Sequence, residues 1–124
     1  MEPDEVIGAQ FRMYRSTAGY VRFDYCDGAA VTGQDAHEVL EALASLTSGS
    51  AAPLLVDVRL AQSVSREARK AFASTVVPSR VALLVESSLS RVLANFFISV
   101  SSPSVSTKMF TDVDDAQWWL LDDR

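Results

Sequence analysis

The chain is poor in the residues that most often carry chemistry. Cys26 is its single cysteine, so no intramolecular disulfide can form and a disulfide-stapled secreted scaffold is excluded. Its thiol has no imidazole nearby in sequence to activate it. His37 is the single histidine, expected on the exposed side of a helix beside Glu38 and Glu41, and one imidazole cannot build a typical zinc site. There is no Gly-x-Ser-x-Gly elbow to assemble a Ser-His-Asp set. No apolar run approaches the ~20 residues that cross a bilayer. Positive charge is scarce as well: 11 lysines and arginines against 16 acidic residues leave a net charge of -5, the opposite of what a nucleic-acid phosphate backbone attracts. The chain begins Met-Glu-Pro-Asp-Glu, without the basic and then apolar character of an export signal, and is expected in the cytoplasm. No catalytic set, cofactor or metal is expected.

What is present is the composition of one packed domain. With 124 residues, 48% hydrophobic and 22% charged, the chain is long enough to bury a single core without staples. Residues 1–8, acidic and proline-containing, are expected to fray, leaving residues 9–124 as the domain. Phe11 to Arg15 and Tyr20 to Tyr25 show the two-residue period of half-buried strands around a turn at Thr17-Ala18-Gly19, which predicts a hairpin. Thr32 and Asp35 are placed for a capping box ahead of a helix whose buried face is Ala36, Val39, Leu40, Leu43 and Leu46 or Thr47, with Gly49 as its stop.

From there strands and helices alternate. Pro53 to Val58 is a continuous apolar run of strand length, the pattern of a strand covered on both faces. Ser65 is placed to cap a helix from Arg66 to about Thr75 that buries Ala68, Phe72 and Val76 or their neighbours, stopped by Pro78. Arg80 to Glu86 repeats the buried-strand pattern. A third helix from Ser88 to Ile98 is expected to bury Leu89, Val92, Leu93, Phe96 and Phe97, which share a helical period. Ser99 to Ser106 reads as a serine-rich loop, Thr107 to Phe110 as a last strand. A final helix starts near Thr111 or Asp112, with Val113, Ala116, Trp119 and Leu120 inward, which leaves Trp118 as a rim residue or an interface aromatic for a partner, set against a reading in which it covers its own domain's strand edge. The order ββαβαβαβα predicts an α/β domain whose last four strands make a mostly parallel sheet.

Leu54-Leu55-Val56-Asp57-Val58-Arg59, Ser65-Arg66-Glu67-Ala68-Arg69, Val81 to Val85, Arg91 to Phe97 and the closing Phe110-Thr111-Asp112 with Ala116, Trp119 and Leu120 resemble, in that succession, the STAS-like group of small bacterial proteins. The resemblance implies the fold of anti-sigma-factor antagonists and a regulatory role through protein contacts. In that family a serine at the start of the helix after the Leu-Asp-Leu strand, within Asp-Ser-Ser-Gly, is phosphorylated by a partner kinase. This chain has Ser65-Arg66-Glu67-Ala68 there; with Asp57 on the family's aspartate, Arg66 falls at the acceptor and only the offset Ser63 and Ser65 could serve.

The residues themselves point to the same region. Ser63 and Ser65 lie between a central strand and a helix N-terminus, where α/β folds place ligands, and Arg59, Arg66 and Arg69 add cationic donors. This is the expected partner or anion surface, set against a reading in which Ser65 only caps its helix. Leu54 to Leu60 is also similar to the phospho-accepting strand of a receiver domain, but Asp24 and Asp27 follow the wrong element and Lys108 precedes its strand's end, so Asp57 is read as structural. Two functions from different classes follow. One is a non-enzymatic interaction domain with a protein partner, itself a possible homodimer. The other is a small-molecule or lipid carrier, suggested by the apolar Phe96-Phe97 helix.

Overall fold

The computed structural model describes residues 5–48, 51–73, 78–100 and 105–122. In chain order the elements are β1 (Glu5–Ile7), β2 (Phe11–Arg15), β3 (Val21–Tyr25), β4 (Ala29–Val31), α1 (Gly33–Thr47), β5 (Ala52–Asp57), β6 (Ala61–Val64), α2 (Arg66–Ala73), β7 (Pro78–Leu84), α3 (Ser88–Val100), β8 (Ser106–Phe110) and α4 (Val113–Leu120). The main sheet runs β1-β2-β3-β5-β7-β8. Its β1-β2-β3 side is antiparallel; β3, β5, β7 and β8 are parallel. The expected α/β class and mostly parallel sheet are therefore observed.

Alternation along the strands divides the side chains between two faces. Phe11, Met13, Val21, Phe23, Tyr25, Leu54, Val56 and Leu83 point to one face and pack under α1, α2 and α3. The ring of Phe23 lies between those of Phe11 and Tyr25, with centroids 5.4 and 4.5 Å away. Tyr20, Leu55 and Ala82 point to the other face and meet Ala116 and Leu120 of α4.

The local signals for α1 and α4 operate as expected. Thr32 and Asp35 complete a capping box, and Asp35 also accepts a 2.7 Å bond from Gln10 Nε2, tying the β1–β2 turn to the start of α1. Helix α1 ends at Ser48, whose φ of 54° is left-handed; the expected stop at Gly49 lies outside the described residues. Asp112 caps α4 by accepting from the backbone of Asp114 and Asp115.

Several expectations are corrected. Within the segment expected to fray, Glu5–Ile7 pair with β2. β4 and β6, read as connections, form a small parallel sheet of their own, with Val31 opposite Val64. Their buried residues Ala29, Val31, Ala61 and Val64 extend the main core, which makes pairing of such short segments worthwhile. α2 closes at Ala73 in the described residues, so Thr75 and Val76 fall outside them, and Pro78 opens β7, where its missing N–H costs least. Ser99 belongs to α3 and Ser106 to β8; residues 101–104 of the expected loop lie outside the described residues.

The largest correction is the rotation of α3. Among its described side chains Ser90, Leu93 and Ala94 are inward, Leu93 as expected, while Leu89 and Val92 are each 48% exposed and Phe96 is 37% exposed; the Phe97 side chain, also expected inward, lies outside the described residues. Ser90 is pinned inside by its hydroxyl, which accepts from the backbone of Glu86 and Ser87 at 3.0 and 2.9 Å and donates to the Ser87 carbonyl at 3.0 Å. Ser87 Oγ in turn accepts from the Ser90 N–H, which caps the helix. That exchange holds a small residue toward the core beside Leu93 and leaves Leu89, Val92 and Phe96 toward solvent.

Candidate functional site

The carboxyl ends of the parallel strands carry a charge network centred on Asp57, buried at the end of β5. Its Oδ1 accepts from Arg59 N–H and Nε, both at 3.0 Å, and its Oδ2 from Arg59 Nη2 at 2.8 Å. Arg22 reaches the same carboxylate at 3.4 Å and pairs more closely with Asp24, at 2.8 Å. Burial works to raise the Asp57 pKa; the Arg59 hydrogen bonds and the charges of Arg59 and Arg22 outweigh it and hold the carboxyl below its ordinary range. The reading of Asp57 as structural fits this geometry. Arg59 folds back along the chain onto Asp57, which takes two of its guanidinium nitrogens.

Ser65 follows β6 directly. Its N–H donates to the Val31 carbonyl at 2.8 Å and its Oγ accepts from Ala68 N–H at 3.1 Å, the geometry of an N-cap. Ala68, fully buried, anchors the helix, so Arg66 projects outward and Arg69 faces α3. Ser63 lies exposed in β6 opposite Ala30.

Arg69 links α2 to α3. Its guanidinium carbon lies 4.6 Å from the centroid of the Phe96 ring, a cation–π contact, while its Nε is buried without a hydrogen-bond partner. Phe96 continues along α3 into Val92 and Leu89, at i, i-4 and i-7. Of the expected residues, Ser65 and Arg66 lie at the start of the same helix as Arg69 and Ser63 in the strand before it, while the structure brings Arg69 against an apolar stripe that sequence reasoning assigned to the core. A signal for it was present: α3 carries apolar residues around more of its circumference than one buried stripe can absorb.

The remaining candidates lie elsewhere. Trp118 is 66% exposed on α4, beyond the opposite face of the sheet from α2, because its neighbours Gln117 and Trp119 face Tyr20 and Phe110. Cys26 and His37 are exposed, and no group of three or more possible metal ligands occurs among the described residues. No helix among them is long and apolar enough to cross a membrane.

A mostly parallel sheet, a helix opening at its carboxyl end and a second short sheet beside that helix define an α/β domain of the SpoIIAA-like fold. The structure superposes on that of an uncharacterized protein from the DUF3478 family with a SpoIIAA-like fold from Shewanella loihica PV-4, with a TM-score of 0.65 at 20% identity, over 93% of this chain and 98% of that one. Residues 14–122 match a domain of unknown function, DUF7793, and the chain belongs to that family. A protein of unknown function from Arthrobacter sp. FB24 is 37% identical over 87% of this chain and 96% of its own, with a TM-score of 0.36. No curated protein matches.

Proposed function

We propose that this chain is a non-enzymatic regulatory interaction domain that binds a protein partner through α2 and the solvent-facing side of α3. The observation that carries this reading is the stripe of Leu89, Val92 and Phe96, left on the surface with the Arg69 guanidinium against Phe96 and Arg66 exposed on the same helix as Arg69. Completing the burial of these three side chains would contribute roughly 1 kcal/mol each, enough to anchor a contact. The unmet Arg69 Nε–H adds a donor that a partner's carboxylate could satisfy once the guanidinium swings off the ring. A second copy of the chain is one occupant of this surface.

The anti-sigma-factor antagonist resemblance supports the regulatory reading. Ser65 is the less accessible of the two offset serines because its hydroxyl already caps α2; Ser63, exposed in β6, is the freer acceptor. The carrier alternative would need an enclosed apolar chamber. The two described grooves, of about 500 and 300 Å³, are open, and Phe96 lines neither.

A photo-crosslinking residue at Val92, introduced in the cells of origin, tests the proposal. The expected result is one crosslinked protein that, purified, binds the free domain and loses at least about tenfold affinity with Arg66→Glu/Arg69→Glu. Crosslinks that fail to form, or a partner indifferent to the double reversal, would overturn it.

A further inference from the structure

Among the described residues, β1 is the outer strand of the main sheet. Gly8 N–H donates to the Phe11 carbonyl at 2.9 Å, which makes Gly8 and Phe11 a hydrogen-bonded pair. The register is unbroken from there, so the alternation of an antiparallel ladder makes Val6 and Met13 the next such pair. Glu5 and Ile7 consequently turn their N–H and C=O groups outward, away from β2. The opposite edge strand, β8, carries Lys108 at its centre, a common guard against further pairing; β1 has no lysine or proline.

Beside this open edge runs a groove of about 500 Å³ between β1 and α1. Val6, Phe11 and Ala42 make an apolar floor; Glu38, Glu41 and Ser45, at i, i+3 and i+7 along α1, make a wall. Neither glutamate has an ion-pair partner among the described residues. An open ladder, an apolar floor and an acidic wall fit one kind of occupant.

We propose that the β1 edge accepts an extended basic segment of another protein as an added strand, with an apolar side chain on the Val6–Phe11 floor and a lysine or arginine two residues on facing Glu38 and Glu41. Main-chain bonds to Glu5 and Ile7 supply the pairing, and the alternation of side chains sets the spacing of the two anchors. A second copy is disfavoured as the occupant: antiparallel β1–β1 pairing places both α1 helices on the same side of the joined sheet, with the acidic walls facing each other. The surface shares no residue with the α2–α3 stripe, and β1 lies outside the segment that matches the family.

The test is a titration of the isotope-labelled full chain with an acetylated, amidated probe peptide, Thr-Val-Thr-Lys-Thr-Val-Thr, followed by amide chemical shifts. Shifts should concentrate in Glu5–Ile7 and along α1 from Glu38 to Ser45. Replacing the peptide's lysine by glutamate should weaken binding by about tenfold, and Glu38→Lys/Glu41→Lys should reverse that preference. Glu38→Gln/Glu41→Gln, which should abolish the preference, is the check if the reversed chain does not fold. Arg66→Glu/Arg69→Glu should leave the titration unchanged, which separates this surface from the α2–α3 one. Absent shifts, equal affinity for both peptides, shifts centred elsewhere, or concentration-dependent self-pairing through β1 would each overturn the proposal.

Discussion

On one face of the main sheet α1, α2 and α3 close over a cluster that extends from Phe11 in β2 to Ala94 in α3; on the other, α4 alone covers Tyr20, Leu55 and Ala82 with Ala116 and Leu120. Beyond the reach of α4 the second face is polar, with Arg22, Asp24, Asp57 and Arg59 joined by ion pairs. The first face is held by apolar burial, which is non-directional and cooperative across many side chains. The second depends on one short helix and on charges that must meet in a fixed geometry. Damage to the first should therefore be global and insensitive to pH, and damage to the second should be smaller, local and tunable.

The largest effect is expected from Phe23→Ala, which opens a cavity between Phe11 and Tyr25; about 3–5 kcal/mol of stability should be lost, read as a fall in the denaturant midpoint. Leu120→Ala on the α4 face should cost about 2–3 kcal/mol. Hydrogen exchange would then sharpen the contrast, with faster exchange in α4 and protection retained in β5. Equal loss of protection on both sides would show that the faces unfold as one unit.

Asp57→Asn should cost about 1–3 kcal/mol at neutral pH, since Arg59 and Arg22 lose a shared counter-charge while Arg59 can still reach water. Because the folded carboxyl is held below its ordinary range, its stabilisation is fully present above the unfolded value of about 3.9 and is lost as pH falls through the lower folded value. The difference between wild type and variant should therefore shrink in denaturation curves below about pH 4. A constant difference would remove the charge network from the account of the second face. Thr32→Ala should cost about 1 kcal/mol through the α1 cap. Trp118→Ala, on the outer side of α4, should change stability by no more than about 0.5 kcal/mol, and a larger loss would mean that the second face extends further than α4's inner residues.

Much of this architecture was legible. The hairpin, the four parallel strands, the Thr32–Asp35 box, the Ser65 cap and the exposure of Trp118 all follow from signals spanning a few residues. The candidate surface was legible only in part. Ser63, Ser65, Arg66 and Arg69 could be placed together because they are close in sequence, but that Arg59 pairs with Asp57 could not be read there. Leu89, Val92 and Phe96 were assigned inward because helical periodicity identifies an apolar stripe without stating which stripe faces the core when a helix offers more than one. Ser90 decided that, through hydroxyl bonds that depend on how β7 delivers the chain into α3.

The sequence by itself determined the class of fold, the helix starts and the strands that carry long apolar runs, because propensity, capping and periodicity act between near neighbours. Only the tertiary structure decided that β4 pairs with β6, that Glu5–Ile7 form an edge strand, that α3 turns Leu89, Val92 and Phe96 outward and that Arg59 closes on Asp57. Each of these rests on partners brought together by folding: a ladder needs a second strand, a helix phase needs a surface to pack against, and a buried carboxylate takes the cations that reach it.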